Sequence, residues 1–422
     1  MKQVVKLFIH LSILTCLVAC HSQIKQDSAF PAKIPMTKPD RPLSAAMHRM
    51  YDQWNPHEDH GNELYSNFKY TDLKGLERSP YISRRDPSKI IRIKGKYYVW
   101  YTYRNTPIPV GPQKATDKIP SFDWDLAEIW YATSKDGYTW EEQGPALRRP
   151  QKPQYGWRSV TTTDILIWEG KYYLYYQAFN EIPGLRSDRA AVAVASADSP
   201  DGPWTMHNKP IIDFGKEGEW DCNAIHDPYP IVFKDKIYIY YKGSPGRRTA
   251  GNIIRAQGVA MADSPMGPFK KSALNPVINS GHEAAVFPWK KGVAAIVSID
   301  GPEKNTIQYS DDGENFHVVS NIQMPPVAPG PFIADAFANK ANGRGITWGL
   351  SHVNFKGSGV QNNCGLLRFD CDLSLDVNRE IFKRNNLRFN IDTYLQNGVA
   401  LPKYLRHKIQ KEAKKIEKDT IL

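Results

Sequence analysis

Asn223-Ala-Ile-His226-Asp227-Pro228-Tyr229-Pro230-Ile-Val-Phe-Lys-Asp-Lys-Ile-Tyr-Ile-Tyr-Tyr-Lys242 is the stretch that decides the fold. An aspartate stands at the mouth of an apolar run, a turn at Asp235-Lys236 follows, and a second run alternates tyrosine with isoleucine. This pattern predicts a β-hairpin with a carboxylate at its entry. Asp86 to Tyr101 repeats the pattern, Thr163-Asp164 to Tyr176 repeats it again, and weaker copies begin at His282-Glu283 and at Asp335. The first four units each carry a turn in their later half: Ser134-Lys-Asp-Gly137-Tyr-Thr-Trp140, Asp198-Ser-Pro-Asp-Gly-Pro-Trp204, Asp263-Ser-Pro-Met-Gly-Pro-Phe269 and Ser310-Asp-Asp-Gly313-Glu-Asn-Phe316. Glycine takes the positive φ of such a turn, and the aromatic after it packs back between sheets. A further strand precedes each turn, as in Ala127 to Thr133 and Ala191 to Ser196. Four strands per unit at a regular period predict an all-β fold, a five-bladed β-propeller.

The repeats span 72–376. Before them, 21–71 reads as a Pro-, Ser- and Lys-rich tether to about Pro42 and then a helical N-terminal arm, with Ser44 capping a short amphipathic helix that runs to Trp54. So short a helix needs a surface to dock on, either its own propeller or a second subunit. After the repeats, 377–422 reads as a helical, basic C-terminal tail. The chain of 422 residues is 41% apolar, enough for a sizeable core, and its net charge of +11 is concentrated in that tail, at Lys403, Arg406, Lys408, Lys411, Lys414, Lys415 and Lys418. The body interleaves both signs, which argues against a nucleic-acid partner. Residues 1–20 form a signal: Lys2 and Lys6 precede an apolar run from Leu7 to Val18 that is too short to span a bilayer. Leu17-Val-Ala-Cys20 has the form of a bacterial lipoprotein cleavage site, so Cys20 is the expected lipid anchor of an exported protein at the periplasm or outer membrane. Cys222, Cys364 and Cys371 remain as thiols, with no metal-type spacing among them.

In a propeller the first strand of each blade lines the central channel, so Asp86, Asp164, Asp227, His282 with Glu283, and Asp335 are expected at one mouth. Gathered carboxylates cost electrostatic free energy unless a metal or a reaction uses them. Glycoside hydrolysis needs one group to protonate the leaving oxygen and another to activate water. Asp86 follows Arg84 and Arg85 and should stay ionised as a base, while His282-Glu283 offers an imidazole or a carboxyl as acid, a neighbouring carboxylate keeping the histidine protonated. Asp227 would hold the sugar or tune the acid. Thr163, Asp164, His226, Trp124 and Asp335 are the candidate substrate contacts, and Trp157, Trp220 and Tyr229 are further aromatics near these mouths.

Arg85-Asp86-Pro87, Thr161-Thr-Thr-Asp164, His226-Asp227-Pro228 and Gly281-His282-Glu283-Ala284, spaced over five blades after a helical arm, resemble glycoside hydrolase family 117. The resemblance implies a five-bladed propeller acting as an inverting exo-α-1,3-(3,6-anhydro-L-galactosidase) on neoagarooligosaccharides. It implies Asp86 as base, Asp227 as supporting acid, and His282 or Glu283 as proton donor. A homodimer with exchanged N-terminal arms is implied too. Some relatives hold a divalent cation, for which this sequence offers no compact ligand set. The basic tail and the loop from Asn105 to Asp125 are where a subgroup acting on a sulfated galactan fragment would differ. Two other readings compete: a non-catalytic glycan-binding propeller lipoprotein, and an arabinan- or xylan-type five-bladed glycosidase.

Overall fold

The computed structural model describes residues 29–52, 61–79, 81–207, 209–246, 255–280, 282, 284–338, 342–354, 363–383 and 411. The signal with Cys20, most of the tether, Trp54, Glu283 and nearly all of the basic tail lie outside them. Helix α1 (Ala45–Tyr51) and strand β1 (Lys69–Asp72) come first. A first sheet holds β2 (Ser83–Arg85), β3 (Ile91–Ile93), β4 (Lys96–Arg104), β5 (Glu128–Ser134) and β6 (Trp140–Leu147). A second holds β7 (Ser159–Trp168), β8 (Lys171–Phe179), β9 (Ala191–Ala197) and β10 (Thr205–His207). A third holds β11 (Ala224–Phe233), β12 (Lys236–Ser244), β13 (Ala256–Ala262) and β14 (Lys270–Lys271). Strands β15 (Ala285–Lys290), β16 (Gly292–Val297), β17 (Thr306–Ser310) and β18 (His317–Asn321) form a fourth group. The fifth is β19 (Val327–Pro331), β20 (Gly343–Asn354) and β21 (Cys364–Ser374), before the short α2 (Glu380–Lys383). The fourth and fifth groups join into one sheet where Trp289 and Lys290 pair with Arg344 and Gly343. The fold is therefore all-β and antiparallel, with strand β1 added from the start of the chain: it pairs with β21 from Lys69↔Asp370 to Asp72↔Leu367 and completes the fifth group. The boundary drawn at residue 72 thus falls at the end of that strand.

Local chemistry explains the elements. The hairpins turn on two residues with positive φ, Lys94-Gly95, Glu169-Gly170 and Lys234-Asp235, as the right-handed twist of paired strands requires. In the third hairpin the turn is Lys234-Asp235 and not Asp235-Lys236, because Phe233 pairs with Lys236. The Ser-x-Asp-Gly turns form as expected: Ser134 Oγ accepts the Gly137 N–H (2.8 Å), and Asp136 Oδ1 accepts those of Tyr138 and Thr139 (2.7 Å each). The aromatic after each is driven inward, with Trp140 1% and Phe316 0% exposed. Burying a side chain of Phe size contributes about 1.5–3 kcal/mol.

Helix α1 is shorter than expected but capped as expected, with Ser44 Oγ accepting the Met47 N–H at 3.2 Å. It docks on its own chain. Ala46 and Met47 are buried in the cluster that holds Trp220 and Ile225. Arg49 makes a two-pronged ion pair with Glu303 at 2.7 and 3.1 Å. Upstream, Phe30 is 1% exposed and residues 30–32 bond to Gly218 and Trp220, so the described end of the tether is packed against the body. Cys364 and Cys371 are buried thiols whose pKa values burial pushes up, and Cys222 is half-buried. Among the described residues no helix is long and apolar enough to cross a membrane.

Candidate active site

One backbone irregularity recurs near the start of the innermost strands. Asp86 (φ 51°), Thr162 (φ 40°), Asp227 (φ 49°) and Ala328 (φ 47°) all sit in the left-handed region. The strand register slips across three of these positions, between Thr161 and Thr163, between His226 and Tyr229, and between Val327 and Gly330. Such a bulge re-aims the side chain it carries. Each non-glycine residue held there costs on the order of 1–3 kcal/mol, which the surrounding sheet must offset. Asp86 and Asp227, both at left-handed positions, line one pocket of ≈ 320 Å³ together with Trp124, Thr162, His226 and His282.

The bulge corrects the reading of the second unit. Because side chains alternate along a strand, one extra residue exchanges the faces. Thr162, not Thr163, faces the pocket and donates to Asp86 Oδ2 at 3.1 Å, whereas Thr163 Oγ1 donates to the Tyr175 carbonyl at 2.8 Å. Asp164 is buried away from that pocket, in an ion pair with Lys89, and Lys89 also donates to the Pro230 carbonyl (2.7 Å). Asp164 borders a separate cavity of ≈ 30 Å³ that Asp86 and Asp227 also line. Asp335 is a further correction. The inner strand of the fifth group is Val327–Pro331, so Ala328 takes the bulge position and Asp335 lies past the strand. There its Oδ2 accepts the Arg344 N–H at 2.9 Å, and it does not line the pocket. Trp220 is a core residue stacked on Tyr241, and Tyr229 lines the smaller cavity and not the pocket that holds His226 and His282. Trp157 carries Lys152 over its ring at 4.4 Å and does not line the pocket. Trp124 does line it, stacked on Phe122 with centroids 4.5 Å apart and with the Arg85 guanidinium 5.1 Å from its own.

Asp86 is 3% exposed and held through hydrogen bonds to Oδ2. Oδ2 receives Arg85 Nε (2.8 Å), Thr162 Oγ1 (3.1 Å) and Thr102 Oγ1 (3.4 Å), and Oδ1 stands 3.0 Å from His352 Nδ1. Burial alone would raise its pKa, but Arg85 and His352 outweigh it and hold the carboxyl far below the usual range, so Asp86 is ionised as expected. Arg84 plays no part in this, being turned to Glu142 at 2.7 and 3.1 Å. Arg85 is itself braced by Asp123, at 2.9 Å. Asp227 forms an ion pair with Lys242 at 2.5 Å, and its N–H donates to Gln177 Oε1 at 3.1 Å.

The histidines differ from expectation. Burial, then the cations Lys242, Arg255 and Arg85, push His282 well below its ordinary 6.5, and the opposing pull of Asp86 is the smallest of these influences. His282 is therefore neutral at neutral pH and is not kept protonated by a carboxylate. Burial and Lys242 hold His226 neutral in the same way. Sequence reasoning missed His352, Asp123, Lys242 and Arg255. A polar residue facing inward on an apolar strand was the available signal for His352 and Lys242, whereas Arg255 acts through its ion pair with Asp300, which no local pattern announces. Among the described residues no group of three or more His, Cys, Asp or Glu side chains is arranged to hold a metal ion.

Two acids from different sheets, one pinned in its ionised form, with a histidine and an aromatic wall, form a site suited to adding water across a glycosidic bond. The comparisons agree. No family model and no curated protein matches the sequence. Among solved structures, Zg3597, a family 117 glycoside hydrolase from the marine bacterium Zobellia galactanivorans, is 53% identical with a TM-score of 0.72, the match covering 76% of this chain and 95% of that one. Two others share only the fold: BT0996, solved as an RGII complex (15% identity, 72% and 92% covered, TM-score 0.54), and a further glycoside hydrolase (15%, 72% and 92%, 0.51). The protein is a glycosidase acting on an oligosaccharide, and it belongs to glycoside hydrolase family 117.

Proposed function

We propose that this glycosidase is a five-bladed β-propeller that removes terminal 3,6-anhydro-L-galactose, joined α-1,3, from neoagarooligosaccharides or a related red-algal galactan oligosaccharide, with inversion. The observation that carries the reading is the convergence of Asp86 and Asp227 on one pocket, each from a left-handed backbone position in a different sheet. At ≈ 320 Å³ the pocket is small, near the lower end of the roughly 300–1,000 Å³ typical of ligand sites, which favours a chain end over the middle of a polymer. The Phe122–Trp124 stack and Phe179 supply an apolar wall suited to a bicyclic sugar, whose anhydro bridge removes two hydroxyls. Asp86 takes the proton of the attacking water as the water oxygen bonds to the anomeric carbon and the glycosidic bond breaks. Incubation with a panel of red-algal oligosaccharides, read by NMR on fresh product, tests bond, end and stereochemistry together. Release of an internal fragment, or of product with retained configuration, would sink the proposal.

We assign proton donation to Glu283, because a neutral His282 has no proton to spare at neutral pH. Glu283→Gln is expected to lower kcat about 10²–10⁴-fold, with the His282→Gln loss smaller and mostly in KM. The sign of the pH dependence separates the two donors. A donor at His282 is active only below its depressed pKa, so the alkaline limb of kcat/KM would fall under pH 6.5. A limb above that value supports Glu283. The same reading includes a homodimer with exchanged arms, the Ser44–Pro276 and Arg49–Glu303 contacts serving equally between subunits, and export with an anchor at Cys20. Sedimentation of a chain starting at Phe68, which keeps β1, should give monomers, and Cys20→Ser should leave the membrane fraction. A truncated dimer or a still membrane-bound variant would contradict these parts.

A further inference from the structure

Asp123 stands in the loop between β4 and β5, one residue before the Trp124 that walls the pocket, and its side chain is 5% exposed. Its Oδ1 accepts Arg85 Nη1 at 2.9 Å. Its Oδ2 accepts Ser83 Oγ at 3.2 Å and lies 3.3 Å from Cys364 Sγ, and its carbonyl accepts Arg104 Nε at 3.1 Å. Ser83 and Arg85 belong to β2, Arg104 to β4 and Cys364 to β21, so this one residue fastens the loop to the first and fifth groups of strands. Arg85 in turn gives its Nε–H to Asp86 Oδ2 at 2.8 Å, with its guanidinium 5.1 Å from the centre of the Trp124 ring. A guanidinium is planar and its donors point in fixed directions, so a bond on one side sets the direction of the bond on the other. Asp86 Oδ2 takes Arg85, Thr162 and Thr102, whereas Oδ1 accepts no hydrogen bond among the described residues, which leaves Oδ1 as the oxygen for an incoming proton.

We propose that Asp123 is a positioning residue for the reaction: by fixing Arg85 between two carboxylates it sets the orientation of the Asp86 carboxylate, and it ties that orientation to the loop that carries the Trp124 wall. The proposal rests on Asp86 being the base. Asp123 does not line the pocket and acts on the reaction through Arg85. Neutralising the buried guanidinium does not account for it, because Asp86 already supplies one negative charge at 2.8 Å. Burying a second carboxylate beside the same cation adds a desolvation cost that only its geometry repays. What the second acid adds is an anchor: with Oδ2 and the carbonyl of Asp123 tied to neighbouring strands, Oδ1 is a fixed point against which the guanidinium is held. Without it, Arg85 turns about its own side-chain bonds, and the carboxylate it grips turns with it.

A double-mutant cycle between Asp123→Ala and Arg85→Met tests this, with Asp123→Asn as the conservative variant. Asp123→Ala is expected to lose about 10–10²-fold in kcat with KM nearly unchanged, the size of effect a misplaced base produces. Asparagine keeps an acceptor for Arg85 in the same place and should recover most of that loss. Because Asp123 acts through Arg85, its loss should vanish once Arg85 is gone: the double variant should match Arg85→Met in kcat within about twofold. If the alanine variant does not fold, Asp123→Asn takes its place in the cycle, where a loss of about 3–10-fold that disappears on the Arg85→Met background supports the proposal. Wild-type kcat in a folded variant overturns it, as does a loss confined to KM, which would mean that Asp123 only holds the pocket wall, or losses that multiply in the double variant. Asp86→Asn, run beside these, separates the two levels. If that variant remains active the assignment of the base has failed, and if it is inactive while the Asp123 variants keep wild-type kcat only the present inference has.

Discussion

Asp86→Asn should fold and should lose about 10²–10⁴ in kcat while KM moves little. The amide keeps the shape of the carboxylate, so Thr102 and Thr162 retain an acceptor and the pocket wall is preserved. What disappears is the charge that accepts a proton from water. Because Arg85 and His352 hold Asp86 far below the usual carboxylate range, it is ionised wherever the enzyme is folded and works, so the wild-type acid limb should not come from this residue until the pH is very low. A depressed folded-state pKa also means that ionised Asp86 stabilises the fold at pH values above the unfolded pKa, and that this contribution is lost as pH falls through the folded one. The Asn variant lacks that stabilisation at neutral pH, and Arg85 loses the charge of one of its carboxylate partners while keeping Asp123. Thermal unfolding measured beside the kinetics shows whether the protein is still folded at the assay temperature. Full activity in a folded Asn variant would remove Asp86 from the mechanism.

The order of strands and the turns between them were legible because their causes are local. Ser134, Asp136 and Gly137 close a turn with hydrogen bonds spanning no more than three residues, and any reader of that tetrapeptide can expect it. Asp86 and Asp227 were legible for a related reason, since each stands beside Pro at the head of an apolar run. Failures arose where geometry depends on counting one residue across a pair of strands. The bulge after Thr161 puts Thr162 where Thr163 was expected, and nothing in Thr-Thr-Thr says which of the three is displaced. Asp335 failed because the fifth inner strand begins at Val327, where Ala328 takes the position held by Asp86 in the first sheet and Asp227 in the third. The protonation of His282 failed for another cause. Lys242 reaches it from β12 and Arg255 from just before β13, an approach that is a property of the assembled sheets, and together with burial they outweigh the pull of the Asp86 carboxylate. His352 and Asp86 meet only when the fifth group of strands lies against the first, so no window of sequence contains the pair.

Replacing Lys89 by Met should cost about 3–5 kcal/mol of stability, because it strands the Asp164 carboxylate in the interior. Both groups are almost wholly buried, at 0% and 2% side-chain exposure. Burial pushes the acid's pKa up and the amine's down, so each charge is tolerated there only through the other. Lys89 lies between β2 and β3 of the first sheet, Asp164 and the Ile165 carbonyl belong to the second, and the Pro230 carbonyl belongs to the third. One ammonium thus ties three sheets together under the site, with the Tyr229 ring 4.3 Å away. This geometry argues that Asp164 supports the pocket floor and does not bind sugar, against the expectation from sequence. Urea unfolding at unchanged m should show Lys89→Met and Asp164→Asn both destabilised, with KM unaltered in whatever fraction remains folded. The double replacement Lys89→Met with Asp164→Leu should recover much of the loss, since an apolar pair of similar volume leaves no buried charge. A rise in KM for Asp164→Asn without lost stability would return that residue to the substrate. Equal instability of the double and single variants would show that the hydrogen bonds to Ile165 and Pro230, and not the charge pair, bind the three sheets.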